Sequence, residues 1–226
     1  MSRRLNRYLD VLLNTRPTGD LLEPEQLADL RRSGLSDETI ARQVIRSVPR
    51  RMVPRLLGFD PQEVTSAYVL PFPDPRGGWM NHVRLKVFPS FVDRRDRTVK
   101  YLGPRGAPPR VFFPLATLGA VIVGDAALWV VEGVKKALAV AQLGLPAVGF
   151  EGIEGWHVGG SRDLLPDFAV VPLRGRVVEL VPDGDVRTNP NVERGALRFA
   201  EALQARGGRV RIVILPTAIP RGRASA

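Results

Sequence analysis

The segment that follows residue 119 alternates short apolar runs with longer amphipathic runs, and this alternation constrains the fold more than any other feature. The runs "ALWVVEG", "PAVGFEG", "VVELVPDGD" and "RVRIVILP" are typical of buried strands. The runs "VKKALAVAQLG" and "PNVERGALRFAEALQARGG" have the apolar spacing of helices. Because strands that alternate with such helices form parallel sheets with right-handed crossovers, the sequence predicts an α/β fold.

The first half of the chain has a different pattern. Two short helices are predicted between residues 24 and 48, the second with Ser36 as its N-cap. Residues 66–114 alternate with a period of two, which predicts strands at "SAYVLPF" and "NHVRLKVF" and a second strand pair at "VKYLG" and "RVFFP". The expected organisation is a helical N-terminal segment (1–60), a smaller basic β-rich α+β subdomain (61–118), the α/β domain (119–218) and a frayed tail (219–226).

The charge of the chain favours a polyanionic partner. Its formal net charge is +10, and residues 76–110 hold nine arginines and lysines but only two acids. Cysteine is absent, which excludes disulfides and cysteine-ligated zinc. The longest apolar region, "LATLGAVIVGDAALWVVEG", contains Asp125 and turn glycines, so two core strands and a turn are expected there rather than a membrane span. With no signal peptide evident, the expected location is the cytoplasm.

Three carboxylates follow predicted strands of the α/β domain. Glu132 ends "LWVVEG", and Asp183 and Asp185 end "VVELVPDGD". Residues two apart in a strand point the same way and lie about 7 Å apart, so both aspartates can face one site if the strand continues. Ligands bind at the carboxyl ends of parallel strands, and oxygen ligands favour Mg²⁺ or Mn²⁺. Each motif alone also fits an ordinary turn, whereas the combination is more specific.

These residues carry a resemblance to a known family. The stretch from "LWVVEGVKKALAVAQLGLPAVGFEGIEGW" to "VVELVPDGDVRTNPNVERGALRFAEALQARGGRVRIVILP" resembles a TOPRIM domain, in the form "EG-x-KKA … D-x-D-x-x-x-NP" carried by plasmids, phages and integrated elements. The resemblance implies a Rossmann-like, largely parallel sheet with flanking helices over residues 119–218. It also implies that Glu132, Asp183 and Asp185 are catalytic and bind metal.

The upstream half resembles the segment that precedes TOPRIM in the catalytic core of DnaG-type primases, with a hairpin, an arginine and a "KYL" motif. By this resemblance Arg84 and Lys100 bind nucleotide phosphates and nucleic-acid strands. The complete set expected to contact nucleotide or nucleic acid comprises Arg84, Lys86, Lys100, Tyr101, Arg110, Lys135 and Lys136. For Trp79 and Tyr101, stacking on bases and a plain solvated basic face are both open. Trp156 is expected in the core.

Two departures from DnaG-type primases stand out. The chain has no cysteine with which to build their zinc domain, so no zinc is expected, and Lys135 and Lys136 occupy a helix where those proteins have a further acidic residue. After "VILP" the chain continues with "TAIPRGRASA" instead of a Lys-Gly-Asp-Asp type segment. The acidic cluster is therefore expected to be smaller than that of a complete primase.

The resemblance implies a primase-like nucleotidyltransferase that uses Mg²⁺ or Mn²⁺ to make or extend oligonucleotides for replication of a mobile element. Its expected partners are single-stranded DNA and nucleoside triphosphates, with a replicative helicase on a separate chain as a further candidate and no membrane. A metal-dependent TOPRIM nuclease and a non-catalytic DNA-binding replication protein remain open as alternatives. In each case the basic β segment is expected to face the carboxylates across a cleft.

Overall fold

The computed structural model describes residue 9, residues 22–159 and residues 161–215, with the side chain of Asp185 excepted. The predicted tail at 219–226 and most of the first 21 residues lie outside this part of the chain. The described residues form two four-stranded sheets with six α-helices around them. Within the described ranges, no helix is both long enough and apolar enough to cross a membrane.

The first sheet is antiparallel, with the strand order β1-β2-β3-β4. Its central strands are buried on both faces, and alternate residues therefore enter different cores: Ala67 and Val69 pack into one, and Tyr68 and Leu70 into the other. The strands are β1 (Arg46–Val48), β2 (Ser66–Pro73), β3 (Trp79–Val92) and β4 (Thr98–Leu102).

Short helices precede and interrupt this sheet. They are α1 (Pro24–Arg32), α2 (Asp37–Arg42) and α3 (Val53–Leu57). The two helices predicted between residues 24 and 48 are confirmed, and Ser36 caps α2 by accepting a hydrogen bond from the Thr39 amide. Helix α3 is short because Pro54 stands in its first turn and Gly58 ends it with a left-handed conformation.

The second sheet is parallel throughout, with the strand order β6-β5-β7-β8. The predicted fold class, an α/β architecture whose parallel sheet has flanking helices and follows a smaller basic subdomain, is thereby confirmed. The elements are α4 (Leu118–Val123), β5 (Leu128–Glu132), α5 (Val134–Ala141), β6 (Ala147–Phe150), β7 (Val177–Val181), α6 (Pro190–Ala205) and β8 (Arg209–Ile212).

The strand order places a switch point between β5 and β7. From β5 the chain crosses to β6 on one side, and it returns to add β7 on the other side of β5. A crevice opens at such a point beyond the carboxyl ends of the strands, and ligands of α/β proteins bind there. Gly133, with φ of +101°, makes the turn from β5 into α5 next to this crevice, a backbone conformation that favours glycine.

Three local predictions were wrong, and the first concerns the apolar run before β5. The sequence predicted two core strands in "LATLGAVIVGDAALWVVEG"; the second of them is β5, but in place of the first, residues 118–123 form α4. Only Val121 of this helix is buried, while Val123 is exposed, so the run is apolar without being a core strand. Gly124 ends the helix in the left-handed conformation.

The second correction concerns "RVFFP". It was expected to pair with "VKYLG", but β4 pairs with β3 instead. Phe112 lies against the outer edge of β6, where its N–H and C=O exchange two hydrogen bonds of 2.8 Å with Gly149. Because an open strand edge has unpaired amide and carbonyl groups, this segment satisfies part of the β6 edge.

The third correction concerns the end of β7. Asp183 and Asp185 were expected to face one site on condition that strand geometry persists to the end of this run, and that condition is not met, because β7 stops at Val181 and residues 184–187 form a 3₁₀ turn. The period-two argument for placing both carboxylates on one face therefore does not apply. Asp183 is brought to the site by the pairing of β7 with β5.

The two sheets share one hydrophobic core. Phe72 of β2 packs edge-to-face on Phe112, with ring centroids 5.1 Å apart, and Phe150 of β6 packs on Phe199 of α6 at 5.0 Å. Trp156 is 2% exposed and stacks on Phe199, which confirms its predicted place in the core. A second, smaller core lies on the other face of the antiparallel sheet under α3.

A buried arginine holds α4 against the parallel sheet. Arg176 is 5% exposed, and its guanidinium donates hydrogen bonds to the carbonyls of Ala120, Val121 and Ala126. Burial lowers the pKa of Arg176, because removing the guanidinium from water disfavours its charged form. Two carbonyls of α4, those of Ala120 and Val121, and the Ala126 carbonyl beyond its end satisfy this guanidinium.

Replacing Arg176 with methionine should lower the free energy of unfolding by about 2–3 kcal/mol, because the variant removes charge-assisted hydrogen bonds and leaves the buried Val121 carbonyl without this donor. Urea unfolding followed by circular dichroism measures this change. Arg174→Met, at an exposed position on the same loop, is the matched control and should change stability little. Equal midpoints for both variants would show that Arg176 does not anchor α4.

Candidate active site

A cleft of about 870 Å³ lies between the two sheets, at the carboxyl ends of β5, β6 and β7. The predicted juxtaposition is confirmed, since cations from β3 and β4 face carboxylates that follow the parallel strands across this cleft. Helix α1 closes one side. The charged residues that line it are Asp29, Arg84, Lys86, Lys100, Glu132, Lys135, Lys136, Glu151 and Asp183.

Glu132 and Asp183 form the acidic edge of the cleft. Because Val131 of β5 pairs with Val181 of β7, the residues that follow both strands emerge side by side. The Asp183 amide donates a hydrogen bond of 3.0 Å to Oε2 of Glu132, whose side chain is 8% exposed. Asp183 is much more open, with a side chain 45% exposed. The side chain of Asp185 lies outside the described residues, so its role stays a prediction.

Lys135 and Lys136 are adjacent on α5 but contact different acids. Lys136 forms an ion pair with Oδ1 of Asp183. Lys135 points toward α1 and donates a hydrogen bond of 2.9 Å to Oδ2 of Asp29. The two lysines therefore pair with acids on different elements, Lys135 with α1 and Lys136 with the residue that follows β7.

Asp29 is a site residue that the sequence analysis missed. It lies on α1 and also accepts a hydrogen bond of 2.8 Å from the Tyr68 hydroxyl. Burial raises its pKa, but the hydrogen bonds from Lys135 and Tyr68 outweigh burial, and the pKa of Asp29 is lowered overall. No local pattern marks this residue, because its partners are 39 and 106 residues away in the sequence.

Glu151 is the second missed residue, and here a signal was present. It directly follows β6 and precedes a glycine, so "FEG" repeats the strand–glutamate–glycine arrangement of "VEG" at Glu132. Its carboxylate is 10% exposed and forms an ion pair with Nε of Arg84. Nε2 of His82, on the same strand as Arg84, lies 3.9 Å from its other oxygen. Glu151 thus connects the parallel sheet to the antiparallel sheet.

Lys86 and Lys100 differ from the other cations of the cleft. Among the described residues neither forms an ion pair, whereas Arg84, Lys135 and Lys136 each contact a carboxylate. Lys86 is 8% exposed; its ammonium donates to the Val87 carbonyl and lies 4.2 Å from the centre of the Phe88 ring. Burial lowers the pKa of Lys86; the charge of Asp29 opposes this shift, the nearby Lys135 and Lys100 add to it, and the pKa is lowered overall.

Tyr101 lies between Lys86 and α5. Its ring centre is 5.9 Å from the ammonium of Lys86 and 5.9 Å from that of Lys135. It pairs across the sheet with Lys86, which fixes both side chains on the cleft face. An aromatic ring with ammonium groups beside it is suited to a nucleobase or sugar next to a phosphate.

Arg110 lies elsewhere. It forms a bidentate ion pair with Asp167, at 2.7 and 2.8 Å, and the same carboxylate accepts a hydrogen bond from the Val111 amide. The hydrogen bond with Asp167 raises the pKa of Arg110. Among the residues described, Arg110 is not one that lines the cleft, so its predicted contact with nucleic acid stays a prediction without structural support.

The oxygen donors at the acidic edge fit one hard divalent ion better than several. Glu132 and Asp183 supply carboxylates at the switch point, which suits Mg²⁺ or Mn²⁺. Within the described residues, however, no group of three or more metal-ligating side chains occurs. Any ion held by these two carboxylates needs water or substrate oxygens to complete its coordination.

Asp29 should make the stability of the protein depend on pH in acid. Because folding lowers its pKa below the ordinary 3.8, the carboxylate stabilises the fold fully above that value, and this stabilisation is lost as the pH falls through the folded-state pKa. In Asp29→Asn, the unfolding free energy should fall less between pH 6 and pH 3 than in the unmodified protein. Urea titrations at both pH values measure the difference, with Glu25→Gln, exposed on the same helix, as control. An equal fall in the unmodified protein and in Asp29→Asn would contradict the assignment.

Comparison with known proteins places this geometry in context. A family profile described as "Domain of unknown function (DUF3854)" matches residues 121–222, which is less than half of the chain. No curated protein matched the sequence.

Two solved structures share the fold over nearly the whole chain. The DnaG catalytic core is similar with a TM-score of 0.59 and 20% sequence identity, covering 95% of this chain and 73% of that one. The Aquifex aeolicus primase, in a structure of its zinc-binding and RNA polymerase domains, is similar with a TM-score of 0.58 and 14% identity, covering 94% and 54%. At these identities the likeness concerns architecture, and the chain therefore has a fold like that of the DnaG catalytic core.

Proposed function

We propose that this chain is a primase-like nucleotidyltransferase core that makes or extends oligonucleotides on single-stranded DNA with the help of Mg²⁺ or Mn²⁺. One observation carries the proposal: a single cleft has carboxylates on one wall, at a switch point, and lysines on the opposite wall. Phosphoryl transfer needs these two kinds of group more than it needs a protein nucleophile. The proposal includes a TOPRIM identity for residues 119–218 and a role in replication of a plasmid or phage, with a helicase on another chain as a partner.

Lys86 and Lys100 bind the phosphates in this proposal. Both lysines line the cleft and form no ion pair among the described residues, so an anionic ligand does not have to displace a carboxylate from either of them. Lys86 gains most from such a ligand, because its ammonium is nearly buried and forms no ion pair among the described residues. Tyr101 offers a ring beside Lys86, against which a base or sugar packs. Arg84 contributes only when it exchanges or shares its contact with Glu151.

In this proposal the acidic edge, Asp183 and Glu132, would hold the divalent ion. When bound, the ion would supply positive charge to the reacting phosphate. Asp183 is open enough to accept it, with 45% of its side chain exposed. Glu132 is fixed by the Asp183 amide, and two roles suit its position: completing the coordination shell or accepting the proton of the attacking 3′-hydroxyl. Asp185 is a further proposed ligand on the strength of its position two residues after Asp183.

A second candidate function is a non-catalytic DNA-binding replication protein. The observation that favours it is the ion pair between Lys136 and Asp183, which gives one carboxylate of the acidic edge a cation without any metal. In that case the parallel sheet serves as scaffold and the basic cleft binds DNA. Binding would then persist in EDTA, and the chain would synthesise nothing.

The full chain, incubated with single-stranded DNA, ribonucleotides and Mg²⁺ or Mn²⁺, should produce labelled oligonucleotides. Asp183→Ala should abolish the product and leave DNA binding equal or tighter, because it removes a negative charge beside the phosphates. Denaturing gels and fluorescence anisotropy measure the two effects. Folded protein that gives no product with either metal on several templates would refute the proposal, and degradation of DNA without nucleotides would indicate a nuclease.

Binding of single-stranded DNA should weaken steeply with salt, and Lys100→Ala should bind more weakly and reduce the slope of log K against log [salt] by roughly 0.7, the value for one phosphate contact on a single strand. Arg84→Ala should reduce affinity as well, since it leaves the buried Glu151 carboxylate without its ion pair near the DNA. Arg206→Ala, exposed at the end of α6 and outside the cleft, is the control. If Lys100→Ala and Arg84→Ala both bind like the unmodified protein at every salt concentration, DNA binds elsewhere.

A further inference from the structure

The distribution of lysine in this chain is unusual. Of its 33 basic residues only four are lysines, namely Lys86, Lys100, Lys135 and Lys136, and all four line the cleft. The remaining basic residues are arginines, of which only Arg84 lines the cleft among the described residues. An ammonium is a compact point charge, whereas a guanidinium is a broad planar fork, so the two are not equivalent at a confined site. In this chain the compact ammonium groups of lysine therefore all lie at the cleft.

Lys136 has a different environment from the other three. It is the third residue of α5, which begins directly after Gly133 at the carboxyl end of β5. Its ammonium contacts Oδ1 of Asp183, and the amide of Asp183 contacts Glu132. Lys136 thus adds a positive charge to the acidic edge itself, while Lys86, Lys100 and Lys135 lie toward the antiparallel sheet and α1.

We propose that Lys136 forms an ion pair with the Asp183 carboxylate in the unliganded protein and thereby lowers the affinity of the acidic edge for divalent ions. The inference rests on the metal site of the proposed function and assigns Lys136 a role toward the ion rather than toward DNA. A divalent ion binds Asp183 only after Lys136 has left it.

The ion pair is strong enough to compete and weak enough to be displaced. The side chains of Lys136 and Asp183 are 55% and 45% exposed, so water screens their attraction, and such pairs contribute little to folding. The same exposure gives Lys136 room to swing away when an ion arrives. Because the ammonium stays attached to α5, its charge remains close to the edge and disfavours the binding of a second divalent ion there.

The test is the affinity for Mn²⁺, measured without nucleotide or DNA by the electron paramagnetic resonance signal of free Mn²⁺. Lys136→Met keeps the length of the side chain and removes its charge, and it should bind Mn²⁺ about fivefold more tightly than the unmodified protein. Lys135→Met is the matched control, since it removes the neighbouring charge, which contacts Asp29 instead. It should change the affinity less than twofold.

The variant Asp183→Asn tests whether the Mn²⁺ that is measured binds at the Asp183 carboxylate. In that background Lys136→Met should change the Mn²⁺ affinity less than twofold, because the carboxylate that both cations share is gone and only the weaker effect of a nearby charge is left. The inference is wrong if Lys136→Met binds like the unmodified protein, if Lys135→Met has an equal effect, or if none of the folded variants binds Mn²⁺. Oligonucleotide synthesis does not enter this measurement, so a failure of the proposed enzymatic function and a failure of the role of Lys136 give different results.

Discussion

The parallel pairing of β5 with β7 is the constraint on which the site depends. It aligns Val131 with Val181, so the residues that follow both strands leave the sheet side by side. The connections to β6 and to β7 run on opposite sides of β5, which keeps this end of the sheet open. Glu132 and Asp183 meet there because the backbone topology brings their strands together, and the amide of Asp183 fixes the geometry by donating to Glu132.

Charge balance within the cleft links stability to binding. Each of three cations is matched with a carboxylate on a different element: Lys135 with Asp29, Lys136 with Asp183, and Arg84 with Glu151. The contacts of Asp29 and Glu151 are the more buried, and they connect α1 and the antiparallel sheet to the parallel sheet. Removing one partner of such a pair leaves a charge without compensation. The Lys135–Asp29 and Arg84–Glu151 pairs therefore link the walls of the cleft, while Lys86 and Lys100 keep charge available for a ligand.

The sequence predicted the elements better than it predicted the contacts between them. Periodicity located both sheets, because alternation and helical spacing are local properties, and it placed Glu132 and Asp183 at strand ends. It failed at α4, where an apolar run became a helix held by the distant Arg176, and at "RVFFP", whose partner Gly149 belongs to the other sheet. Asp29 could not be found in this way, because its partners are distant in the sequence, whereas Glu151 repeated the pattern of Glu132 and could have been recognised.

The shared cleft is tested most directly by a crystal structure of the protein with a nucleoside triphosphate and Mn²⁺ bound. Anomalous scattering locates the metal in that structure. We expect one Mn²⁺ peak against the Asp183 carboxylate, with Lys136 turned away from it. We also expect triphosphate oxygens within hydrogen-bond distance of the Lys86 and Lys100 ammonium groups. A nucleotide bound outside the cleft, or a cleft in which Lys136 still contacts Asp183 beside a bound triphosphate and no metal, would contradict these expectations.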